Sequence, residues 1–144
     1  MMKYIPISAL LLTVLALWTG CNGKADQFKL SVDESIQALL FSDEVVVPDE
    51  IMEAVQKNGS NAVLVDVRSP AEFEKGHLEN AVNIPTQHIL GPENIKLWDQ
   101  SEVTYYLYGQ TQLEANSAWM ILRQLGYTNV RVLQGGLSYF ADFS

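Results

Sequence analysis

Residues 63–85 read VLVDVRSPAEFEKGHLENAVNIP, and this stretch decides the fold. It opens within an apolar run at residues 62–67 that does not alternate with polar positions, as is typical of a strand buried on both faces. Ser69 and Glu72 form a capping box with a proline between them at the first helical position, which predicts a helix. Residues 81–84 then indicate a second short strand. The stretch is therefore expected to fold as strand, helix, strand.

The rest of the chain repeats this alternation. The further predicted elements are a capped helix from Ser31, a strand at 45–47, a helix over 48–58, strands at 103–108 and 130–133, a helix ending at Leu125, and a terminal helix after Gly135 and Gly136. Strands that alternate with helices imply an α/β fold with a mainly parallel sheet covered on both faces.

Charge and cysteine content exclude several classes of function. The chain of 144 residues carries a net charge of -8, and all 17 acids but only 8 of the 9 bases follow residue 20. A nucleic-acid partner is not expected, because such a protein needs a basic patch. One cysteine permits neither an intrachain disulfide nor a zinc site of several thiolates. His77 and His88 lack the spacing of metal ligands, so no metal or other cofactor is expected.

The N-terminus has the pattern of an export signal. Residues 5–17 form an uncharged apolar run that is too short for a transmembrane helix. The single cysteine, Cys21, follows a small residue where a bacterial lipoprotein signal would place it, and the segment resembles a lipobox. We therefore expect a signal peptide at 1–20, a lipidated Cys21 beginning a polar tether at 21–30, and one domain at 31–144. An ordinary signal peptide with a chance cysteine, or an uncleaved anchor, is the alternative.

Residues 63–85 closely resemble the first half of a rhodanese-like domain. The matching features are Asp66-x-Arg68, Glu72-Phe73, Gly76-His77-Leu78 and Asn83-Ile84-Pro85, and later Gly126-Tyr127 and Gly135-Gly136-Leu137. The resemblance covers about residues 45 to 141. It implies a mainly parallel five-stranded sheet with helices on both faces. It also implies an active-site loop after the strand at 103–108, where active members carry a cysteine that attacks a sulfane sulfur and becomes a persulfide.

The loop of this chain departs from that pattern. Gly109 stands seventeen residues before Gly126, which is the family position of the cysteine, and Glu114 stands where the family often has an arginine. The altered loop comprises Gly109, Gln110, Thr111, Gln112, Leu113 and Glu114. Without a thiolate, no catalytic residue is assigned and sulfur transfer is not expected. Glu114 would favour the helix N-terminus but repel thiosulfate or phosphate.

Other residues of the motifs are expected to act structurally. Asp66 and Arg68 are interpreted as a fold-stabilising pair at a strand end, with a substrate role as the weaker alternative. For His77, the resemblance implies a structural role, bonding across the sheet edge. Tyr108 lies next to the loop and is positioned to line a pocket.

These observations favour a lipid-anchored, extracytoplasmic binding module of the bacterial cell envelope, such as the periplasm. It would contact the membrane through its lipid and bind an unknown protein partner or small ligand at loop 109–114. Two alternatives remain open at this stage. One is a sulfur-relay or redox accessory that acts on a partner's thiol. The other is an enzyme that uses the scaffold differently, with Glu114 or His77 as acid or base.

Overall fold

The computed structural model describes residues 28–41 and 44–141. Its centre is a five-stranded sheet in which all four pairings are parallel and the strand order is β1-β5-β4-β2-β3. The strands are β1 Val45–Val46, β2 Ala62–Asp66, β3 Val82–Asn83, β4 Thr104–Tyr108 and β5 Val130–Leu133. This confirms the predicted α/β fold. The export signal, Cys21 and most of the predicted tether lie outside the described residues.

Helices connect and cover the strands. They are α1 Val32–Phe41, α2 Pro48–Asn58, α3 Pro70–Phe73, α4 Pro92–Trp98, α5 Gln112–Gln124 and α6 Gly136–Ala141, with short 3-10 turns at Gly59–Asn61 and Thr86–His88. Both predicted capping boxes form: Ser31 with Glu34, and Ser69 with Glu72. α4 was not among the predicted helices, although a proline at its first position and Glu93 in its first turn are helix-start signals. None of the helices in the described ranges is long and apolar enough to cross a membrane.

Hydrophobic cores lie on both faces of the sheet, as predicted. Side chains alternate along β4, because successive residues of a strand point to opposite faces. Tyr105 and Leu107 enter one core with α4 and α5, whereas Tyr106 and Tyr108 enter the other with α2. All four are buried, and Leu107 and Tyr108 have no exposed surface. Both faces of β4 are therefore buried, and this packing holds the start of the following loop in place.

The segment before β1 is attached to the outside of α5. The backbone N-H of Lys29 donates to the Gln124 carbonyl oxygen at 2.8 Å, and Leu30 N-H donates to Gln124 Oε1 at 3.3 Å. Gln124 Nε2 donates to Ser35 Oγ of α1 at 2.8 Å. Lys29 and Leu30, which the sequence analysis placed in the tether, thus contact the folded domain.

Candidate functional site

The loop between β4 and α5 lies at the carboxyl edge of the sheet, where parallel α/β proteins place their ligands. The backbone of this loop is bound to the start of α6. The carbonyl oxygen of Gly109 accepts from Leu137 N-H at 2.9 Å, and that of Gln110 accepts from Ser138 N-H at 3.1 Å and from Ser138 Oγ at 3.0 Å. These bonds fix the height of the loop above the sheet.

Gly136 permits this close approach. Gly136 has φ +72°, and a Cβ built on it would lie 2.6 Å from the carbonyl carbon of Thr111. Only glycine tolerates both the left-handed backbone and that contact. The neighbouring Gly135 N-H donates to Gln112 Oε1 at 3.1 Å. Leu137 and Ser138 were not predicted to lie at the site, although the paired glycines after β5 were a signal that two backbones meet there.

The carboxylate of Glu114 folds back into the loop. Its Oε2 accepts the backbone N-H of Gln110 at 2.7 Å. A Cβ added at Gly109 would lie 2.6 Å from Glu114 Cβ and 2.7 Å from its Oε2. The residue in the family's arginine position thus occupies the space that a side chain at the nucleophile position would need, and its negative charge takes up an amide that an anionic ligand would otherwise use.

A buried ion pair supports the loop from below. Arg68 Nη2 lies 2.6 Å from Asp66 Oδ2, with side-chain exposures of 5% and 0%. Arg68 Nε also donates to both carboxylate oxygens of Asp66, and the remaining donors reach Gly76 O at 2.7 Å and Gln110 Oε1 at 3.2 Å. The hydrogen bond to Asp66 raises the pKa of the Arg68 guanidinium, so this charge is permanent. Arg68 therefore joins the end of β2, the turn at Gly76 and the loop.

His77 bonds locally. Its Nδ1 lies 3.0 Å from the carbonyl oxygen of Phe73, and its ring stacks on that of Phe73 with centroids 3.7 Å apart. The expected bond across the sheet edge is replaced by this contact within the turn after α3. The side chain is exposed, and His77 forms part of the wall of an open depression beside the loop.

The tyrosine at the end of β4 does not line a pocket. Tyr108 is fully buried, and its hydroxyl oxygen accepts from Leu78 N-H at 3.1 Å. Burial raises the pKa of the hydroxyl, so it stays neutral at ordinary pH. Tyr108 instead holds the turn that carries His77 against the sheet.

The open depression beside the loop, which we call the loop depression, has a volume of about 520 Å³. Its walls are Arg68, Glu72, Lys75, Gly76, His77, Gln110 and Leu137. The structure thus brings Arg68, His77 and Gln110 of the predicted set together, whereas Glu114 is turned into the loop. Leu113 projects outward with 76% of its surface exposed. No group of three or more His, Cys, Asp or Glu residues within the described ranges is arranged to hold a metal ion.

Comparison with known proteins agrees with this architecture. A model of the rhodanese-like domain family matches residues 47–142, and the chain belongs to that family. It is 31% identical over 125 residues to the tRNA uridine(34) hydroxylase of Erwinia tasmaniensis, covering 78% of this chain and 35% of the relative. It is 39% identical over 75 residues to the uncharacterized protein YqhL of Bacillus subtilis, covering 52% of this chain and 57% of the relative.

The chain thus spans about a third to just over half of the length of these curated relatives. Among solved structures, the human single-domain sulfurtransferase TSTD1 superimposes with a TM-score of 0.59 at 21% identity. That match covers 70% of this chain and 97% of the human chain. At 21% identity, this structural match supports the fold alone.

Proposed function

We propose that this rhodanese-like domain does not transfer sulfur and instead binds a partner protein at the loop and the loop depression. The observation that carries the proposal is the contact between Glu114 and the loop. Sulfur transfer in this fold needs a thiolate at the loop to attack a sulfane sulfur. Here Gly109 supplies no nucleophile, and the Glu114 carboxylate holds the amide of Gln110 at 2.7 Å.

The surface around the loop suits protein contact better than capture of a small anion. Leu113 and the side chains of Gln110 and Thr111 are exposed beside the loop depression. Leu113 gives this surface an exposed apolar side chain among neutral polar groups, which a partner protein would cover. The depression carries both signs of charge: Lys75 and Arg68 are positive and Glu72 is negative, and the charge of Arg68 is paired with that of the buried Asp66.

We also propose that a lipid anchors the domain to a membrane, with the domain outside the cytoplasm. Support comes from the apolar run at 5–17 and from the position of Cys21, the single cysteine of the chain, at its end. A lipid on Cys21 would place the domain in the cell envelope, at the end of a short polar tether. A binding domain held at a surface meets its partner at raised effective concentration.

The tRNA hydroxylation in the relatives' names is not part of this proposed function. The similarity covers 35% of the length of the Erwinia tasmaniensis protein, which leaves most of that enzyme unmatched. The net charge of -8 also opposes binding to a polyphosphate, because such affinity depends on basic residues that release counterions.

The first test is an assay of sulfur transfer from thiosulfate to cyanide. A chain of residues 22–144 contains every residue that the structure describes. Its rate of sulfur transfer would be compared with that of a thiol-bearing rhodanese. We expect turnover no faster than buffer alone, and mass spectrometry should show no added sulfur after thiosulfate treatment. Turnover by this cysteine-free chain would overturn the assignment of the loop.

The anchor is tested separately with the Cys21→Ser variant of the full chain. In a bacterial host that processes lipoproteins, radiolabelled palmitate should enter the wild-type chain and be absent from the variant. Equal labelling of the two chains would show that the lipid is carried elsewhere and would remove the anchor from the proposal.

A further inference from the structure

The ring of His77 is fixed in one orientation and one tautomer. Its Nδ1 lies 3.0 Å from the carbonyl oxygen of Phe73, and its ring stacks on that of Phe73. A carbonyl oxygen can only accept a hydrogen, so Nδ1 must carry the hydrogen of this bond. In the neutral ring the other nitrogen, Nε2, is then a lone-pair acceptor. No residue of the described ranges donates to Nε2, so this acceptor is available at the wall of the loop depression.

The turn that carries His77 is held in place by its own hydrogen bonds. Leu78 N-H donates to the buried hydroxyl oxygen of Tyr108 at 3.1 Å. On the other side of His77, the carbonyl oxygen of Gly76 accepts from Arg68 Nη2 at 2.7 Å. The acceptor is therefore positioned in advance, which lowers the cost of binding to it.

The same depression also offers hydrogen-bond donors. Arg68 Nη1 carries two hydrogens but has one acceptor among the described residues, Gln110 Oε1 at 3.2 Å. Lys75, on the same wall, adds an exposed ammonium group. A group bound here can therefore donate to His77 and accept from a basic side chain. A carboxylate cannot donate to a neutral histidine and an ammonium cannot accept, so an uncharged group that does both fits best.

We propose that the loop depression takes a tyrosine side chain of the partner protein, whose hydroxyl donates to His77 Nε2. This inference rests on the proposed partner binding and names the group that the partner presents. A tyrosine hydroxyl both donates and accepts, and its ring supplies apolar surface to cover Leu137 on the wall. The depression, at about 520 Å³, is large enough for an aromatic ring, whereas a serine or threonine side chain would leave most of it empty.

The first measurement is the tautomer of His77. The full chain, isotope-labelled and purified in a mild detergent, is studied at about pH 8, where histidine side chains are ordinarily neutral. Long-range proton–nitrogen correlation NMR distinguishes a protonated from an unprotonated ring nitrogen. We expect hydrogen on Nδ1 and none on Nε2, with His88→Gln used to assign the signals. Hydrogen on Nε2 of the neutral ring would overturn the inference, because the depression would then lack this acceptor.

The second measurement compares two probes that differ by a single hydroxyl. N-acetyl-tyrosinamide and N-acetyl-phenylalaninamide are titrated into the same labelled chain, and binding is followed at the backbone amide signals of Gly76 and Gln110. We expect the tyrosine probe to bind about fivefold more tightly, the usual net effect of one hydrogen bond. His77→Asn should remove this preference, because the shorter amide can still donate to the Phe73 carbonyl but has no acceptor at the place of Nε2. His77→Gln, whose longer amide reaches toward that place, should retain part of it.

The outcomes separate this inference from the proposed function. Equal affinity of the two probes at the depression, or an unchanged preference in His77→Asn, would overturn the bond from a tyrosine hydroxyl to His77. Tighter binding of N-acetyl-cysteinamide than of the tyrosine probe would also overturn it, because the partner would then present a thiol. Turnover in the thiosulfate assay, by contrast, would overturn the proposed function and not the hydrogen bond at His77.

Discussion

At Gly109 the backbone passes so close to Glu114 that no side chain fits between them. The φ of Gly109 is not in the left-handed region, so the restriction comes from the neighbour and not from backbone strain. An arginine at position 114 would keep the same Cβ, 2.6 Å from a new Cβ at 109. Restoring the family's cysteine and arginine together would therefore still require the loop to move. The two departures from the family pattern are physically coupled.

This coupling can be measured as a double-mutant cycle. Gly109→Ala should destabilise the wild-type protein by about 1–3 kcal/mol, the usual cost of overpacking. In a Glu114→Gly background both close contacts disappear, so the same change should cost less, with a coupling of about 1 kcal/mol or more. Urea unfolding of the four proteins gives these energies. Additive effects would show that Glu114 is not what restricts position 109.

At the scale of single elements, the four-residue helix α3 depends on its cap. Ser69 Oγ donates to Glu72 Oε2 at 2.5 Å, and the Ser69 N-H donates to the same oxygen at 3.1 Å. The side-chain bond from Ser69 is the main cause that lowers the pKa of Glu72. A lowered pKa stabilises the fold above the ordinary carboxyl pKa, and the contribution is lost as pH falls through the lowered value.

The pH dependence of stability should report this cap. Between about pH 7 and about pH 3, wild-type protein should lose more unfolding free energy than the Glu72→Gln variant, which has no carboxylate to protonate. Urea midpoints across this range provide the measurement. The second capping carboxylate, Glu34, is present in both proteins and cancels in the difference. Parallel curves would mean that the Glu72 cap does not contribute.

The ion pair of Asp66 and Arg68 joins three elements at once. Asp66→Asn keeps the shape of the side chain but leaves the buried guanidinium without its counter-charge, which should cost about 3–5 kcal/mol. Glu53→Gln, which breaks an exposed pair with Lys57 on α2, should cost no more than about 1 kcal/mol. Thermal unfolding of both variants tests the contrast. Equal small losses would show that Arg68 finds adequate partners in Gly76 O and Gln110 alone.

Local signals were enough to predict most elements. The caps at Ser31 and Ser69 and the apolar run of β2 act within a few residues, and their predicted structures are confirmed. The loop at 109–114 followed from the family resemblance, by counting the family's spacing back from Gly126. The packing of α6 on this loop could not be predicted, because it depends on how distant segments meet in space. For the same reason, the sequence did not reveal that Tyr108 is buried against Leu78.

At the scale of the whole molecule, the side chain of Gln124 joins α1 and the segment before it to α5. Gln124 accepts from Leu30 N-H and donates to Ser35, in addition to the backbone bond from Lys29. Gln124→Ala removes both side-chain bonds and should cost about 1–2 kcal/mol. Faster hydrogen exchange in α1, but not in β4, should accompany the loss. Gln56→Ala, at an exposed site on α2, is the control and should change neither. Unchanged exchange in α1 would assign its attachment to other contacts.

The strand order also sets when the fold can be completed. β5 lies between β1 and β4, and within the described residues β1 has no other strand beside it. A ribosome delivers residues 130–133 more than eighty residues after Val45–Val46, so β1 has no partner strand in this sheet until then. β1 therefore joins the sheet only after β5 has been made. If the proposed export signal operates, the late arrival of β5 would keep the precursor unfolded long enough to pass through a translocation channel.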